Sequence, residues 1–431
     1  MAGGDPVRPA GRRRTQVVVV TVSVLVLLAG VAAIAYRVFA PAEMVTPARA
    51  GYPPPVTARE GTIARLAAAP LIVDRRLRVS AAERQVRAEA PADAHNQVNP
   101  FWSYRRWPQW LDGLVAIGTT VISRWSDGKL IALDARTGRV AWRAAGPEPV
   151  DGGYAGRRTG AVNVYAPRGL FTAAAAGARV IIAAGAREAA GFDSATGRRM
   201  WRTTIANRAG CLGDAFTGPG RFAVYDGCAH PPALDGYDVV TGAALSAWRP
   251  PGASRWDPMP IGCDLGGSGC RGVRTLEDGR TRGWLFGAAG PVAAPVLDDP
   301  NGWLIDGKVL LPAGGRSGAD ATTWVARRLA DGREAWRWDS LGQAARVLAV
   351  ESGAVHLLTS ARDLVTVDAA SGRELSRYRC AFRRDGTDWD PGYAYATERF
   401  VAIERLRHEA DPDDPDDAYY RFPEPVLLAG T

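Results

Sequence analysis

The four histidines of the chain are the first residues to consider for acid–base or metal chemistry. They are His95, His230, His356 and His408, and they lie far apart in the sequence. No two of them are four residues apart, the spacing that places two imidazoles on one face of a helix. His356 lies in the apolar segment 354–359, where a packed strand residue is the simpler interpretation. The histidines therefore predict neither a zinc site nor a general base.

The five cysteines are spaced for disulfides. Cys211 and Cys228 flank a glycine-rich segment, and Cys263 and Cys270 bracket a short, flexible loop. We predict the disulfides Cys211–Cys228 and Cys263–Cys270, with Cys380 left as a free thiol. Paired cysteines are typical of an oxidising compartment outside the cytoplasm. A structural zinc is the alternative, but neither spacing is that of a CxxC pair.

An acidic run near the C-terminus offers oxygen ligands. Residues 411–417 contain five aspartates and two prolines. Such oxygens can bind extracellular calcium, but the run lacks the glycine and the spaced glutamate of a dedicated calcium loop. A solvated surface loop is the preferred interpretation. The chain contains no GxSxG, HExxH or Walker-type motif, so the sequence predicts no catalytic, cofactor-binding or metal-binding residues.

The strongest signal in the chain is a repeated segment whose residue types indicate a structural role. Its best copy begins with the apolar run 130–133, which indicates a strand buried on both faces. Asp134 can bond the amides of the following turn, and Gly138 can adopt the positive φ of a tight hairpin. The second strand ends in a large aromatic residue, Trp142. An internal repeat of this kind decides the architecture before any other feature does.

Further copies of the repeat follow at intervals that suit the blades of a β-propeller. Each copy would be one blade, with its tryptophan packed as a wedge between neighbouring blades. A two-sheet sandwich with accidental similarity in its turns is the alternative. The copies retain these turn and wedge residues: Asp193, Gly197 and Trp201; Asp238 and Gly242; Gly332 and Trp336; Asp368 and Gly372.

The repeat resembles that of the pyrroloquinoline-quinone-like β-propeller family, whose core is L-x-A-L-D-x-x-T-G-x-x-x-W. Leu130, Ala132, Thr137 and Trp142 are among the matching positions. The resemblance implies the fold and says little about function, because the family includes quinoprotein dehydrogenases, an outer-membrane assembly lipoprotein and uncharacterised membrane-anchored proteins. A dehydrogenase of this family is expected to hold a calcium-bound quinone, a catalytic carboxylate and usually a disulfide between adjacent cysteines. No two cysteines of this chain are adjacent.

We therefore expect an all-β fold, a seven- or eight-bladed β-propeller with eight blades favoured, preceded by one N-terminal transmembrane helix. Residues 56–69 are expected to add a strand to the last blade and close the ring, which would remove an exposed sheet edge. The tail after residue 380 has enough strand-like sequence for a final blade. The other blade-like units are residues 76–104, 107–143, 159–202, 206–249, 255–288, 295–338 and 341–379.

The N-terminus carries the second strong signal. Residues 17–35 are 19 apolar or small residues without a charge, enough to cross a hydrocarbon core of about 30 Å as a helix. Arginines precede this run, so the positive-inside bias places the propeller outside the cytoplasm. A cleaved signal peptide is the alternative, although the run exceeds the usual signal core. The predicted domains are a basic cytoplasmic tail (1–16), a signal-anchor helix (17–36), a proline-rich linker (37–55) and the propeller (56–431).

The net charge of +8 raises the question of nucleic-acid binding. Among the 53 basic residues only Lys129 and Lys308 are lysines. The arginines are scattered along the chain, and the propeller is expected outside the cytoplasm. We therefore predict no nucleic-acid partner. A basic face attracted to anionic lipid or to a cell-wall polymer is an open alternative.

Three classes of function remain. The favoured one is a membrane-anchored, extracytoplasmic propeller that serves as a non-catalytic scaffold for an envelope protein. The alternatives are a quinone-dependent, dehydrogenase-like enzyme and a sensor of an envelope polymer or a small ligand. Aromatic residues and arginine are the usual anchors of protein interfaces. The candidate contact residues near blade edges are Trp107, Trp110, Arg255, Trp256, Trp389 and Tyr393.

Overall fold

Eight antiparallel sheets follow one another along the chain as the blades of a closed ring. Each sheet has three to five strands. The predicted all-β propeller with eight blades is confirmed. The structure is a computed structural model that describes residues 18–31, 40–96, 99–150, 154, 158–205, 212–287, 290–314, 321–380, 386, 388–407, 420 and 422–431.

The first elements of the chain precede the regular blades. Helix α1 covers the described residues 18–31, and the rest of the predicted helix over 17–36 lies outside the described residues. Within the described residues, no helix has both the length and the apolar character needed to cross a membrane. Two strands follow α1, β1 (Ala42–Thr46) and β2 (Gly61–Leu66), and they join different blades.

The first half of the ring contains blades 1 to 4, and in each of them the chain moves from the central channel outward. Helix α2 (Ala161–Tyr165) lies in the connection between blades 2 and 3. Blade 1 comprises β3 (Pro70–Val73), β4 (Leu77–Ala82), β5 (Gln85–Glu89) and β6 (Trp102–Trp107); blade 2 comprises β7 (Leu111–Ile117), β8 (Thr120–Trp125), β9 (Lys129–Asp134) and β10 (Val140–Ala145); blade 3 comprises β11 (Leu170–Ala175), β12 (Ala178–Ala184), β13 (Glu188–Asp193) and β14 (Arg199–Thr204); blade 4 comprises β15 (Leu212–Gly218), β16 (Arg221–Asp226) and β17 (Ala233–Asp238).

The second half of the ring contains blades 5 to 8, and a 3₁₀ helix (Pro295–Leu297) precedes blade 6. Blade 5 comprises β18 (Asp257–Ile261), β19 (Gly272–Glu277), β20 (Arg280–Gly287) and β21 (Gly290–Ala293); blade 6 comprises β22 (Trp303–Ile305), β23 (Lys308–Pro312), β24 (Thr323–Arg328) and β25 (Glu334–Asp339); blade 7 comprises β26 (Ala345–Glu351), β27 (Ala354–Thr359), β28 (Asp363–Asp368) and β29 (Glu374–Arg379); blade 8 comprises β30 (Asp390–Thr397), β31 (Phe400–Leu406), β32 (Val426–Gly430) and β2.

A strand from the N-terminal side closes the ring. β2 is the outer strand of blade 8 and runs antiparallel to β32, with Gly61 opposite Gly430 and Leu66 opposite Val426. The expected closure by residues 56–69 is confirmed. Because the two ends of the propeller share one sheet, the ring opens only if this ladder of hydrogen bonds is broken.

Part of the predicted linker is also a strand. β1 lies antiparallel on the outer edge of blade 1, with Ala42 opposite Trp107. Glu43 forms an ion pair with Arg143 of blade 2 at 2.8 Å. The structure therefore differs here from the extended tether expected over 37–55. Prolines flank β1 and none lies inside it. The high proline content of the segment led to the prediction of a linker, although the prolines do not interrupt the strand.

The core lies between the blades. In β9, the residues from Leu130 to Leu133 are all fully buried, although neighbouring positions of a strand face opposite sides. Both faces of each central strand are covered because a blade packs against a neighbour on either side. The continuous apolar run in the sequence has this physical cause.

Candidate functional site: the channel and the exposed rim

Four tryptophans join neighbouring blades through one shared arrangement, a hydrogen bond to a carbonyl and a contact with a glycine. The indole nitrogen of Trp142 donates a hydrogen bond to the carbonyl of Ser194 in the next blade, at 3.1 Å. Its ring lies against Gly197, where an added Cβ would come within 2.5 Å of the indole. The φ of +70° at this position also favours glycine. The same arrangement links Trp102 with Ala135 and Gly138, Trp201 with Val239 and Gly242, and Trp336 with Ala369 and Gly372.

The aspartates of the repeat hold the hairpin turns. The carboxylate of Asp193 accepts the backbone amide of Thr196 at 2.8 Å. The Thr196 hydroxyl also donates to this carboxylate, and this hydrogen bond lowers the pKa of Asp193. In the same way, the Ser371 hydroxyl lowers the pKa of Asp368. These carboxylates bind their own turns, so their chemistry is local and structural.

Buried arginines form a second set of contacts, which the sequence analysis missed. Arg124 of β8 is 1% exposed and donates to the carbonyls of Gly169 and Ala184, at 2.7 and 2.8 Å. Arg274 of β19 donates to the carbonyl of Leu297 at 2.8 Å. Burial lowers the pKa of both guanidinium groups, yet arginine keeps its charge in proteins. In the sequence, the signal that could have identified them is a single arginine at a position of β8 or β19 where the strand pattern predicts a buried residue.

Helix α2 fills one end of the central channel, whose volume is about 1540 Å³. All five of its residues are buried. Tyr165 donates to the carbonyl of Pro70 at the start of β3, and Asn163 donates to the carbonyl of Leu111 at the start of β7. The Tyr165 ring also stacks on Tyr395 of blade 8, with 5.1 Å between ring centroids. This end of the channel is where the innermost strands begin.

A loop from blade 5 starts at the opposite end, where the innermost strands finish, and its tip reaches α2. A disulfide joins Cys263 and Cys270 and closes the loop between β18 and β19. At the tip of the loop, an added Cβ on Gly266 would lie 3.2 Å from Ala166, the residue that follows α2. Leu265 packs against the core shared by blades 1, 2 and 8. The loop and α2 together narrow the channel.

Carboxylates gather at the opposite end, where the innermost strands finish. We call Asp74, Asp306, Glu351 and Glu398 the acidic arc; they lie at the ends of the first strands of blades 1, 6, 7 and 8, which are consecutive in the ring. Partial burial raises the pKa of Glu398, and the charges of Asp74 and Glu351 add to this rise. Arginines of the same chain face two of these carboxylates, since Arg76 pairs with Asp74 at 2.9 Å and Arg271 lies 3.9 Å from Asp306. The arc is therefore a charged surface with both signs, on which a partner can form ion pairs.

His356 lies directly behind the acidic arc. Its side chain is fully buried, Nδ1 lies 3.1 Å from the Thr366 hydroxyl, and Nε2 lies 3.1 Å from Glu351. The structure places His95 and His230 elsewhere, each against a backbone carbonyl. No group of three or more His, Cys, Asp or Glu side chains in the described part of the chain is arranged to hold a metal ion.

No group of described side chains along the channel forms the site that a quinone with its calcium ion needs. Such a site needs a cage of oxygen ligands and a base beside the substrate. The acidic arc spreads over four blades, and its Asp306 accepts the amide of Gly353 at 2.8 Å.

The remaining cysteines and the acidic run are only partly described. Cys228 is disulfide-bonded, and Cys211, its predicted partner, lies outside the described residues. Cys380 is a free, buried thiol. The run 411–417 and His408 also lie outside the described residues.

The predicted contact residues differ in accessibility. Trp256 and Trp389 are each 1% exposed, so the expectation of an exposed contact surface is wrong for both. The Trp256 ring packs edge-on against Tyr225, and Arg362 lies over the ring of Trp389. Blade edges were assigned from sequence alone, and these two rings turn inward to cover neighbouring strands. Arg255 is exposed and Tyr393 is half-buried.

Trp107 and Trp110 come together at the rim of blade 1. The guanidinium group of Arg84 lies over both rings, 4.5 Å and 3.7 Å from their centroids. Trp107 is 37% exposed. With Ser126 and Asp127, these residues border a shallow cavity of about 400 Å³. Of the six predicted contact residues, this pair is the one that the structure brings together.

The sequence profile of the family described as outer membrane protein assembly factor BamB matches residues 86–219. This segment covers less than half of the chain and includes the best copies of the repeat. No curated protein matches the chain at a significant level.

Solved structures with a similar arrangement are distant in sequence. BamB from Moraxella catarrhalis is 13% identical with a TM-score of 0.44, and the match covers 88% of this chain and 99% of that chain. A quinohemoprotein alcohol dehydrogenase from Comamonas testosteroni is 15% identical with a TM-score of 0.39, covering 81% and 72%. Likeness at this level carries no argument about activity. The profile match and the repeat together show that the chain carries, over residues 86–219, the repeat of the PQQ-like β-propeller family.

Proposed function

We propose that the protein is a membrane-anchored, extracytoplasmic propeller that acts as a non-catalytic scaffold for an envelope protein. The observation that carries this proposal is that the repeat residues make structural contacts between blades. The tryptophans that define the repeat bond the next blade, as Trp142 does with Ser194 at 3.1 Å. These contacts stiffen the disc and leave recognition to its loops and rim.

The character of α1 supports the anchor. All of its residues are exposed, and a helix that is apolar on every side is stable when lipid or protein covers it. The apolar run 17–35 has the length required by a hydrocarbon core of about 30 Å. Arg12, Arg13 and Arg14 precede it and favour a cytoplasmic N-terminus. The Cys263–Cys270 disulfide supports an oxidising location for the propeller.

The acidic arc is the surface we assign to the partner. Its carboxylates line an accessible mouth, whereas α2 fills the other end of the channel. A basic loop or tail of the partner would compete with Arg76 and Arg271 for these carboxylates, and salt would weaken its binding.

Photo-crosslinking in cells tests the scaffold. A photoreactive residue replaces Ser352, which is exposed beside the acidic arc, and the control replaces Leu341, which is 85% exposed in the loop that leads into blade 7. We expect one membrane protein to crosslink to position 352 in high yield and not to position 341. No crosslink at either position, with quinone-dependent dye reduction by the purified protein, would favour the dehydrogenase alternative.

A further inference from the structure

We propose that the rim of blade 1 contacts the surface of the membrane that holds α1, through a face formed by Met44, Arg105 and Trp107. The lipid that this face fits is one with an anionic headgroup. The inference rests on the membrane anchor proposed above and adds the orientation of the disc relative to the membrane.

The chain between the anchor and this rim is short. The apolar run ends at Ala35 and β1 begins at Ala42, so six residues lie between them. A fully extended segment of this length spans about 20–25 Å. Ala42 therefore stays within that distance of the point where the chain leaves the membrane. No other blade is attached so closely to the anchor.

β1 is fixed to the disc along its whole length. It pairs with β6 over five residues, from Ala42 opposite Trp107 to Thr46 opposite Ser103. Just beyond the strand, the amide of Ala48 donates to the carbonyl of Thr137 in blade 2 at 2.9 Å. Since the segment is bound to two blades, the short tether acts on the rim of blade 1 directly.

Residues that alternate along β1 and β6 lie on two different faces. Glu43 lies opposite Arg106 and pairs with it on the side of blade 2, with 3.5 Å between the charged atoms. Met44 lies opposite Arg105, so these two side chains share the other face with Trp107. We call this other face the lipid face.

The lipid face combines apolar and cationic groups in the open. Met44 is 61% exposed and Trp107 is 37% exposed, and Arg105 is exposed as well. Tryptophan is enriched at the boundary between lipid and water, and arginine is attracted to anionic headgroups.

Two matched positions allow a direct test on the full chain. Met44→Cys and Val292→Cys are each labelled with an environment-sensitive fluorophore. Val292 is 62% exposed on the outer strand of blade 5, four blades away from blade 1. Cys380 is 1% exposed and stays unlabelled. The labelled proteins are reconstituted into phosphatidylcholine–phosphatidylglycerol vesicles that contain a lipid with a spin-labelled headgroup as the quencher.

We expect quenching to be severalfold stronger at position 44 than at position 292. Arg105→Glu should reduce the quenching at position 44, and vesicles of phosphatidylcholine alone should reduce it in the same direction. Equal quenching at both positions in vesicles that carry the protein would refute the contact between the lipid face and the membrane, without contradicting the anchor. Failure of the protein to float with the vesicles would remove the anchor, and the inference with it.

Discussion

At the scale of single residues, the turn of each repeat has two structural roles. The repeat aspartate closes a hairpin, and the residue after it offers its carbonyl to the tryptophan of the preceding blade. Ser194 plays this part for Trp142, and Val239 plays it for Trp201, at 3.1 and 2.8 Å. The glycine of the same turn leaves room for the ring. The repeated motif therefore marks a blade junction, and catalysis is not needed to explain it.

Loss of a wedge should unfold the protein more easily. Trp142→Ala removes a ring that is 8% exposed, and truncation of a large buried aromatic costs about 3–5 kcal/mol. Urea unfolding followed by circular dichroism measures this change. Trp107→Ala is the control, because the ring is 37% exposed and its loss should cost under about 1 kcal/mol. A wild-type urea midpoint for Trp142→Ala would show that the wedge is misplaced.

Two glycines separate steric fit from backbone conformation. Gly197 and Gly332 have φ values of +70° and +67°, but only Gly197 has a ring at the Cβ position. An alanine in this conformation costs about 1–2 kcal/mol. Gly197→Ala must also displace the ring of Trp142, and overpacking adds about 1–3 kcal/mol. We therefore expect a lower melting temperature for Gly197→Ala than for Gly332→Ala. Equal melting temperatures would refute the contact between Gly197 and the ring of Trp142.

The thiols give a chemical test of compartment and packing. Burial raises the pKa of Cys380 to about 12, so its reactive thiolate is scarce at pH 8 in the folded protein. We expect no alkylation of the native protein and one alkylated cysteine after unfolding without reductant. Mass spectrometry counts the modified residues. Several modified cysteines before reduction would contradict the predicted disulfides and the location outside the cytoplasm.

At the scale of elements, the two N-terminal strands serve different purposes. β2 completes the sheet of blade 8 and closes the ring, and its side chains are largely buried. Every residue of β1 is exposed, and the strand lies on a blade that already has four strands. β2 therefore contributes to stability, whereas β1, under the proposed anchor, would set the position of the disc relative to the membrane.

A carboxylate introduced into each strand should reveal this difference. Ile63 of β2 is 6% exposed and Met44 of β1 is 61% exposed. Ile63→Asp buries a charge without a partner, which costs several kcal/mol, on the order of 3 or more. Met44→Asp should stay within about 0.5 kcal/mol of the wild type. If the two variants lost equal stability in urea, β1 would be as important for closure as β2.

The sequence predicts best the elements that repeat. The apolar run before Asp134, the turn at Gly138 and the aromatic Trp142 were sufficient to identify the blades, because their spacing recurs. α2 was not predicted, because a helix of five residues has too few positions for a periodic signal. Arg124 was missed because an arginine is expected at the surface, and the carbonyls that it binds belong to another blade.

At the scale of the whole molecule, the ring brings distant residues together. Asp306 and Glu398 are far apart in sequence but belong to the same acidic arc, since each follows the first strand of its blade. No local motif could have marked such a site. The two ends of the channel differ, since α2 fills one end and charged side chains line the other. In the proposed scaffold, the charged end is the recognition face.

The central claim is that the repeat residues join the blades, and that the protein binds an envelope partner and not a quinone. Calorimetric titration of the purified protein with pyrroloquinoline quinone and calcium tests that claim most directly, because a dehydrogenase must bind both before any turnover. The account predicts no heat beyond that of dilution and no dye reduction with simple alcohols or aldoses. Stoichiometric binding at micromolar concentration or tighter, together with dye reduction, would contradict it.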